Sequence, residues 1–178
     1  MGTKHKTPEV LDAMIEHVRY EVVQIIHFAR FGNNWCDVLH PDLGQLAQRS
    51  MLEAGLVHLR CLIEFLGDQP ASDQVMARDY VPDWDWKTSE QLGQVGELHG
   101  RLAHLGTVRQ SVSTDGDFSW QSWLTNEAST VLRGFRDFLV QLRSSSPRRY
   151  QLFIQPRDEL PAIDLLPLLN SMLHDEPR

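Results

Sequence analysis

Between residues 8 and 31 the apolar positions recur at three- and four-residue steps: Leu11, Met14, Ile15, Val18, Val22, Ile25, Ile26 and Ala29. That spacing puts them on one stripe of a 3.6-residue helix, so a helix is expected over 8–31. Thr7, Pro8 and Glu9 supply its start. They bring a capping hydroxyl, a proline whose missing N–H has no partner to lose, and an acid at the positive dipole end. "GNN" at 32–34 supplies the stop. The face away from the stripe carries His17, Tyr20, Gln24 and His27, a mixed surface that meets water or suits a dimer contact.

A second helix is expected over 43–66, after "HPD". Its apolar residues (Leu46, Met51, Leu52, Ala54, Leu56, Val57, Leu59, Cys61, Leu62, Ile63 and Phe65) cover most of the circumference. A helix apolar nearly all round is a central one, so this segment is expected to be the most buried. Gly67-Asp68-Gln69-Pro70 ends it, a short helix over 71–79 follows, and "YVPDWDWK" reads as an aromatic loop. Residues 88–109 predict a third long helix on Leu92, Val95, Leu98, Leu102 and Leu105. After the turn residues "STDGDFS", a fourth spans 120–143, with Trp123, Leu124, Val131, Leu132, Phe135, Phe138, Leu139 and Leu142 inward. "SSSP" introduces a short helix near 147–154, and a last amphipathic stretch covers 164–173.

With little strand signal and no repeat, the expected fold class is all-α, a helical bundle with a short C-terminal helical extension. Residues 1–143 form the bundle domain in this reading, and 144–178 the extension packed upon it.

A length of 178 residues is enough to bury a real core. The net charge of −7 and pI near 5.5 argue against broad adhesion to nucleic acid or anionic membrane, but leave room for a local basic site. No run of apolar residues is long enough to span a bilayer, and the amino terminus lacks the apolar stretch of a signal peptide. Lys6 stands where a myristoylation pattern requires Ser or Thr. A cytoplasmic location without membrane contact is therefore expected. Cys36 and Cys61 make neither a disulfide framework nor a thiolate zinc site. Cys61, inside an apolar run, is expected to be a small core residue.

The densest candidate chemistry is "HGRLAHLGTVR", residues 99–109, which gathers His99, Arg101, His104 and Arg109. On a helix Glu97, Arg101 and His104 fall at i, i+4 and i+7, one polar stripe. A cation beside an imidazole suits binding or cleavage of a phosphodiester. The same stripe also describes a solvated face with an intrahelical Glu97–Arg101 pair. On the second helix Glu53, Arg60 and Glu64 make another stripe, which must face water, a partner or opposite charge. A glutamate holding Arg60 or Arg101 would satisfy the structure and would equally orient an arginine toward phosphate.

Eight histidines raise the question of a metal. His99 and His104 lie about 140° apart on a helix, and His17 and His27 lie ten residues apart. A cross-helix set of His27, His58, Glu64 and His104 remains conceivable, but no histidine pair has ligand spacing, so neither metal nor cofactor is expected. In the aromatic loop, Tyr80, Trp84 and Trp86 stand beside Asp79, Asp83 and Asp85. Those carboxylates repel phosphate, so the rings are expected to pack over the bundle end. No serine-nucleophile elbow, P-loop or dinucleotide fingerprint occurs.

"MLEAGLVHLRCLIEFL" at 51–66, followed by "GRLAHLG" at 100–106, resembles the HEPN superfamily, in particular its abortive-infection-type branch. The resemblance implies an all-α bundle of four to five helices. It also implies a metal-independent ribonuclease acting as a homodimer in toxin–antitoxin, phage-defence or RNA-processing systems. On the motif, "LHGRLAH" supplies His104 as the motif histidine and His99 at the polar second position, while Leu98 occupies the place of the catalytic arginine. The resemblance thus assigns His104 to polarising the ribose 2′-hydroxyl or leaving group. Arg101, standing in for the missing arginine, would stabilise the phosphorane charge, with His99, Arg60, Glu64 and Arg109 in binding roles.

Leu98 implies a weakened nuclease, or a retired one that keeps the fold as a module. The expected function is an RNA- or nucleotide-directed protein of bacterial defence or toxin–antitoxin type, with a second copy and a cognate protein as further partners. The alternative is a noncatalytic helical dimerisation or protein-interaction module.

Overall fold

The Thr7 hydroxyl accepts the Val10 N–H at 3.4 Å and the Thr7 carbonyl accepts the Leu11 N–H at 3.1 Å, opening helix α1 (Pro8–Phe31). The backbone and the Thr7 hydroxyl hold the Glu9 carboxyl below its ordinary value, as expected of an acid in a first turn. The computed structural model describes residues 6–31, 41–67, 74–86 and 120–155. Besides α1 these form α2 (Pro41–Leu66), α3 (Ala77–Tyr80), α4 (Trp120–Ser145) and α5 (Pro147–Ile154), with no strand among the described residues. The fold is all-α. The helices expected over 88–109 and 164–173 lie outside the described residues. No helix among the described residues is long and apolar enough to cross a membrane.

The expected stripe of α1 is the buried one. Leu11, Ile15, Val18, Val22, Ile25 and Ile26 join the core, with Val23 added. On α4 the inward set is buried from Val131 and Leu132 through Phe135, Phe138 and Leu139 to Leu142. Helix α2 departs from expectation. It buries Leu56, Leu59, Leu62, Ile63, Phe65 and Leu66, but leaves Ala54, Val57 and Cys61 exposed, Val57 by 49%. It is therefore an amphipathic wall and not an all-round buried rod. Ala54 and Cys61 are small, so little apolar surface is lost by exposing them, while Val57 leaves about half of its surface in water.

The short helix expected over 71–79 begins only at Ala77. Residues 74–76 are not helical, and the Asp79 carboxylate accepts the Met76 N–H at 2.8 Å, which sets the start at the following residue. Lys6 pairs with the same carboxylate at 2.8 Å. The aromatic segment packs inward. Tyr80 and Trp84 are buried, with the Tyr80 hydroxyl donating to the Leu11 carbonyl at 2.7 Å and Trp84 Nε1 to the Leu66 carbonyl at 2.9 Å. Trp86 lies against α4 at Gly134, where a Cβ would come within 2.6 Å of the indole nitrogen. Glycine there is required by close approach.

Helix α5 joins the same core through Tyr150 and the fully buried Phe153. A feature the apolar pattern does not announce holds it there. Arg19, only 2% exposed on the core side of α1, donates to the carbonyls of Leu152 and Gln155. Its guanidinium thereby satisfies acceptors that the end of α5 leaves without helical partners. At the other end of α5, Arg148 and Arg149 bind Asp12 at 2.7 and 3.0 Å, and Arg149 lies over the Tyr80 ring. On α4, Glu127 is also buried, and burial pushes its carboxyl above the ordinary range.

Arg19→Leu removes two part-buried, charge-assisted hydrogen bonds to the end of α5 and should cost about 1–3 kcal/mol of stability. Hydrogen exchange should rise over α5 more than over α1. Partial burial disfavours the Asp12 carboxylate, yet the hydrogen bonds from Arg149 and Arg148 outweigh it and hold the carboxyl below its ordinary value. A depressed folded pKa contributes stability that is present above the unfolded value of about 3.9 and disappears as the pH falls through the folded one. Urea unfolding of wild type and Asp12→Asn should accordingly differ at pH 7 and converge in acid below about pH 4.

Candidate functional site

On α1, His17 and Glu21 stand one turn apart beside Met14 and Val18. On α2, Cys61 and Glu64 stand beside Leu62 and Phe65. The two helices face each other with these residues along their seam, and Gln74 and Val75 close one side. The result is a cleft of about 400 Å³. Met14, Val18, Leu62, Phe65 and Val75 make an apolar floor, and His17, Glu21, Cys61, Glu64 and Gln74 supply the polar groups. A volume of this size with a few polar groups over an apolar lining is the usual form of a small-ligand site.

Both carboxylates are held in place by α2 and its neighbours. Glu21 Oε2 meets His58 Nδ1 at 2.7 Å, and the Tyr20 ring meets the His58 ring edge-on at 5.5 Å. Glu64 Oε1 accepts from Arg60 Nε at 2.6 Å, an i, i+4 pair, and Oε2 accepts from the Gln74 amide at 3.3 Å. Cys61 lines the same cleft as both carboxylates. Burial first, then the charges of Glu21 and Glu64, push its thiol pKa up, and Arg60 only partly opposes them. The thiol is therefore a poor nucleophile at neutral pH.

Of the residues given roles in the expected ribonuclease site, only Arg60 and Glu64 lie among the described residues. They pair with each other, and Glu64 contributes to the cleft. Arg101, His104, His99 and Arg109, with Glu97 and Leu98, lie outside the described residues. Of the four metal candidates, His104 is outside too, while His58 meets Glu21 and Glu64 meets Arg60. No group of three or more His, Cys, Asp or Glu among the described residues could hold a metal ion. Cys61, expected in the core, is exposed at the cleft, because its position on α2 faces the seam and not the aromatic interior. On the face of His17, Tyr20, Gln24 and His27, His17 and Tyr20 are exposed, His17 at the cleft and Tyr20 beside the His58 ring, while Gln24 and His27 are half-buried.

Sequence reasoning missed Glu21, His58 and Gln74 as a group. The one local signal was the His17–Glu21 spacing of i, i+4. The pairing of Glu21 with His58 spans 37 residues and follows only from how α1 meets α2.

These features define a class: an all-α bundle with a ligand-sized cleft between its first two helices. No family model, curated protein or solved structure matches the chain.

The electrostatics of Cys61 give a direct test. Glu64→Gln removes a charge that raises the thiol pKa, so alkylation of Cys61 by iodoacetamide at pH 7 should accelerate several-fold. Peptide mass spectrometry separates Cys61 from Cys36. An unchanged rate would mean that Glu64 does not act on the thiol.

Proposed function

We propose that the chain is a noncatalytic helical binding module whose cleft between α1 and α2 takes a small ligand. The observation that carries this reading is the meeting of an apolar floor and a polar rim in one cavity of about 400 Å³. The ribonuclease expectation rests on Arg101 and His104, outside the described residues. Its described member, Arg60, is engaged by Glu64, and the rim it borders carries two carboxylates, which repel a phosphodiester. A cognate protein partner is a further proposal, as is a homodimer. For the homodimer, the most exposed apolar groups near this seam are Val57, Val10 and Tyr20, at 49%, 45% and 42%. Sedimentation at micromolar concentration reads that state, and a monomer removes the homodimer from the proposal.

A library of small fragments, screened by amide chemical shifts, should perturb residues at the cleft, such as Val18, Cys61, Leu62 and Gln74. Mixed RNA incubated with the protein and EDTA should remain intact. Absence of any fragment response at the cleft would overturn the binding reading. RNA cleavage in EDTA, lost in His104→Ala, would replace it with the ribonuclease.

A further inference from the structure

Resting on that reading of the cleft, we propose that its ligand is a monocation with an apolar body, an aryl- or alkylammonium. The head group would sit between Glu21 and Glu64, and the body would lie on Val18, Leu62 and Phe65.

The charges around the cleft point this way. Glu21 on α1 and Glu64 on α2 bring two negative charges, and Arg60 brings one positive charge. Gln74 is neutral, and His17 and His58 add nothing while their rings are neutral. One negative charge is left over. Both carboxylates line the same cleft, together with Cys61.

Hydrogen bonding agrees with the charge. Glu64 is held by Arg60 on one oxygen and by Gln74 on the other. Glu21 meets His58 through Oε2 alone among the hydrogen bonds of the described residues. Each carboxylate oxygen offers two lone pairs, so Glu21 Oε1 and the remaining sites on Glu64 can receive the donors of an ammonium. Such a bond is charge-assisted, the strong kind. An anion would instead meet two carboxylates.

The floor excludes the simplest cations. A bare metal ion finds no three-ligand cluster among the described residues, and it would leave the apolar surface of Val18, Leu62 and Phe65 uncovered. A ligand that covers that surface while presenting one positive charge uses both halves of the site.

Three probes of one shape separate the terms: 2-phenylethylammonium, 2-phenylethanol and 3-phenylpropionate. At pH 8, where an unperturbed imidazole is neutral, each is titrated into the protein by calorimetry. Each is also tested for protecting Cys61 from iodoacetamide. The ammonium should bind and protect, the alcohol at least tenfold less well, and the carboxylate not at all. Glu21→Gln should weaken the ammonium about tenfold, the scale of one charge-assisted hydrogen bond, and leave the alcohol unchanged. Val140→Ala, at an exposed position on α4, is the control for folding and should change nothing. Equal binding by the alcohol or the carboxylate overturns the cation assignment while the cleft reading stands. Failure of all three probes also overturns it, and the fragment screen then decides separately whether the cleft binds anything.

Discussion

The side chain of Phe138 is where the described elements meet. Its ring lies 5.3 Å from Phe65 of α2, 6.1 Å from Tyr80 of α3, 5.6 Å from Trp84 and 5.6 Å from Phe153 of α5. Phe135, one turn earlier on α4, adds a further neighbour at 5.8 Å. Most of these contacts are edge-to-face, the geometry that the ring quadrupole favours and that adds about 0.5–1.5 kcal/mol per pair beyond area burial. Helix α1 is tied to the cluster by the Tyr80 hydroxyl on the Leu11 carbonyl. The Trp84 indole caps the Leu66 carbonyl at the end of α2. A stack of directional contacts is harder to slide than an aliphatic core, so the positions of α3 and α5 follow from it.

The cleft depends on this cluster. Phe65 presents one side to Phe138 and another to the cleft floor. Leu62, fully buried, also lines the cleft one turn earlier. The floor is thus the outer wall of the rigid core, whereas the rim is built from partly exposed side chains paired across or along helices. Such an arrangement sets a fixed apolar surface beside carboxylates whose positions are set by their own partners, His58, Arg60 and Gln74. Arg19 works on the opposite side of α1 toward α5. The helix carries one buried cation for structure and, on its other face, the carboxylate and imidazole of the cleft.

The long helices were legible because their period repeats over six or seven turns, and chance alignment over that length is rare. Thr7–Pro8 marked the start of α1, and Pro147 the start of α5, where structure and sequence agree. The burial of α2 was not legible in the same way. Ala54, Val57 and Cys61 count as apolar, but composition around a helix does not tell which apolar residues another element will reach. Of the site, Arg60, Glu64 and His17 stood out as polar residues on faces and His58 as a histidine for a metal set, while Glu21 and Gln74 did not stand out, nor did the pairing of His58 with Glu21. Arg19 was invisible for a related reason. A cation at a core position finds its partners among residues more than a hundred positions away.

By itself, then, the sequence determined the all-helical class, the limits of α1, α4 and α5, and the apolar stripes of α1 and α4. Helical period and end signals are local, and a few consecutive turns contain all the information they need. The tertiary structure alone decided that α2 keeps an open face, that Arg19 secures the end of α5, and that two carboxylates from different helices share one cleft. Those outcomes depend on which helix faces meet. That choice is made by the shape of the packed rings around Phe138, which no local spacing encodes.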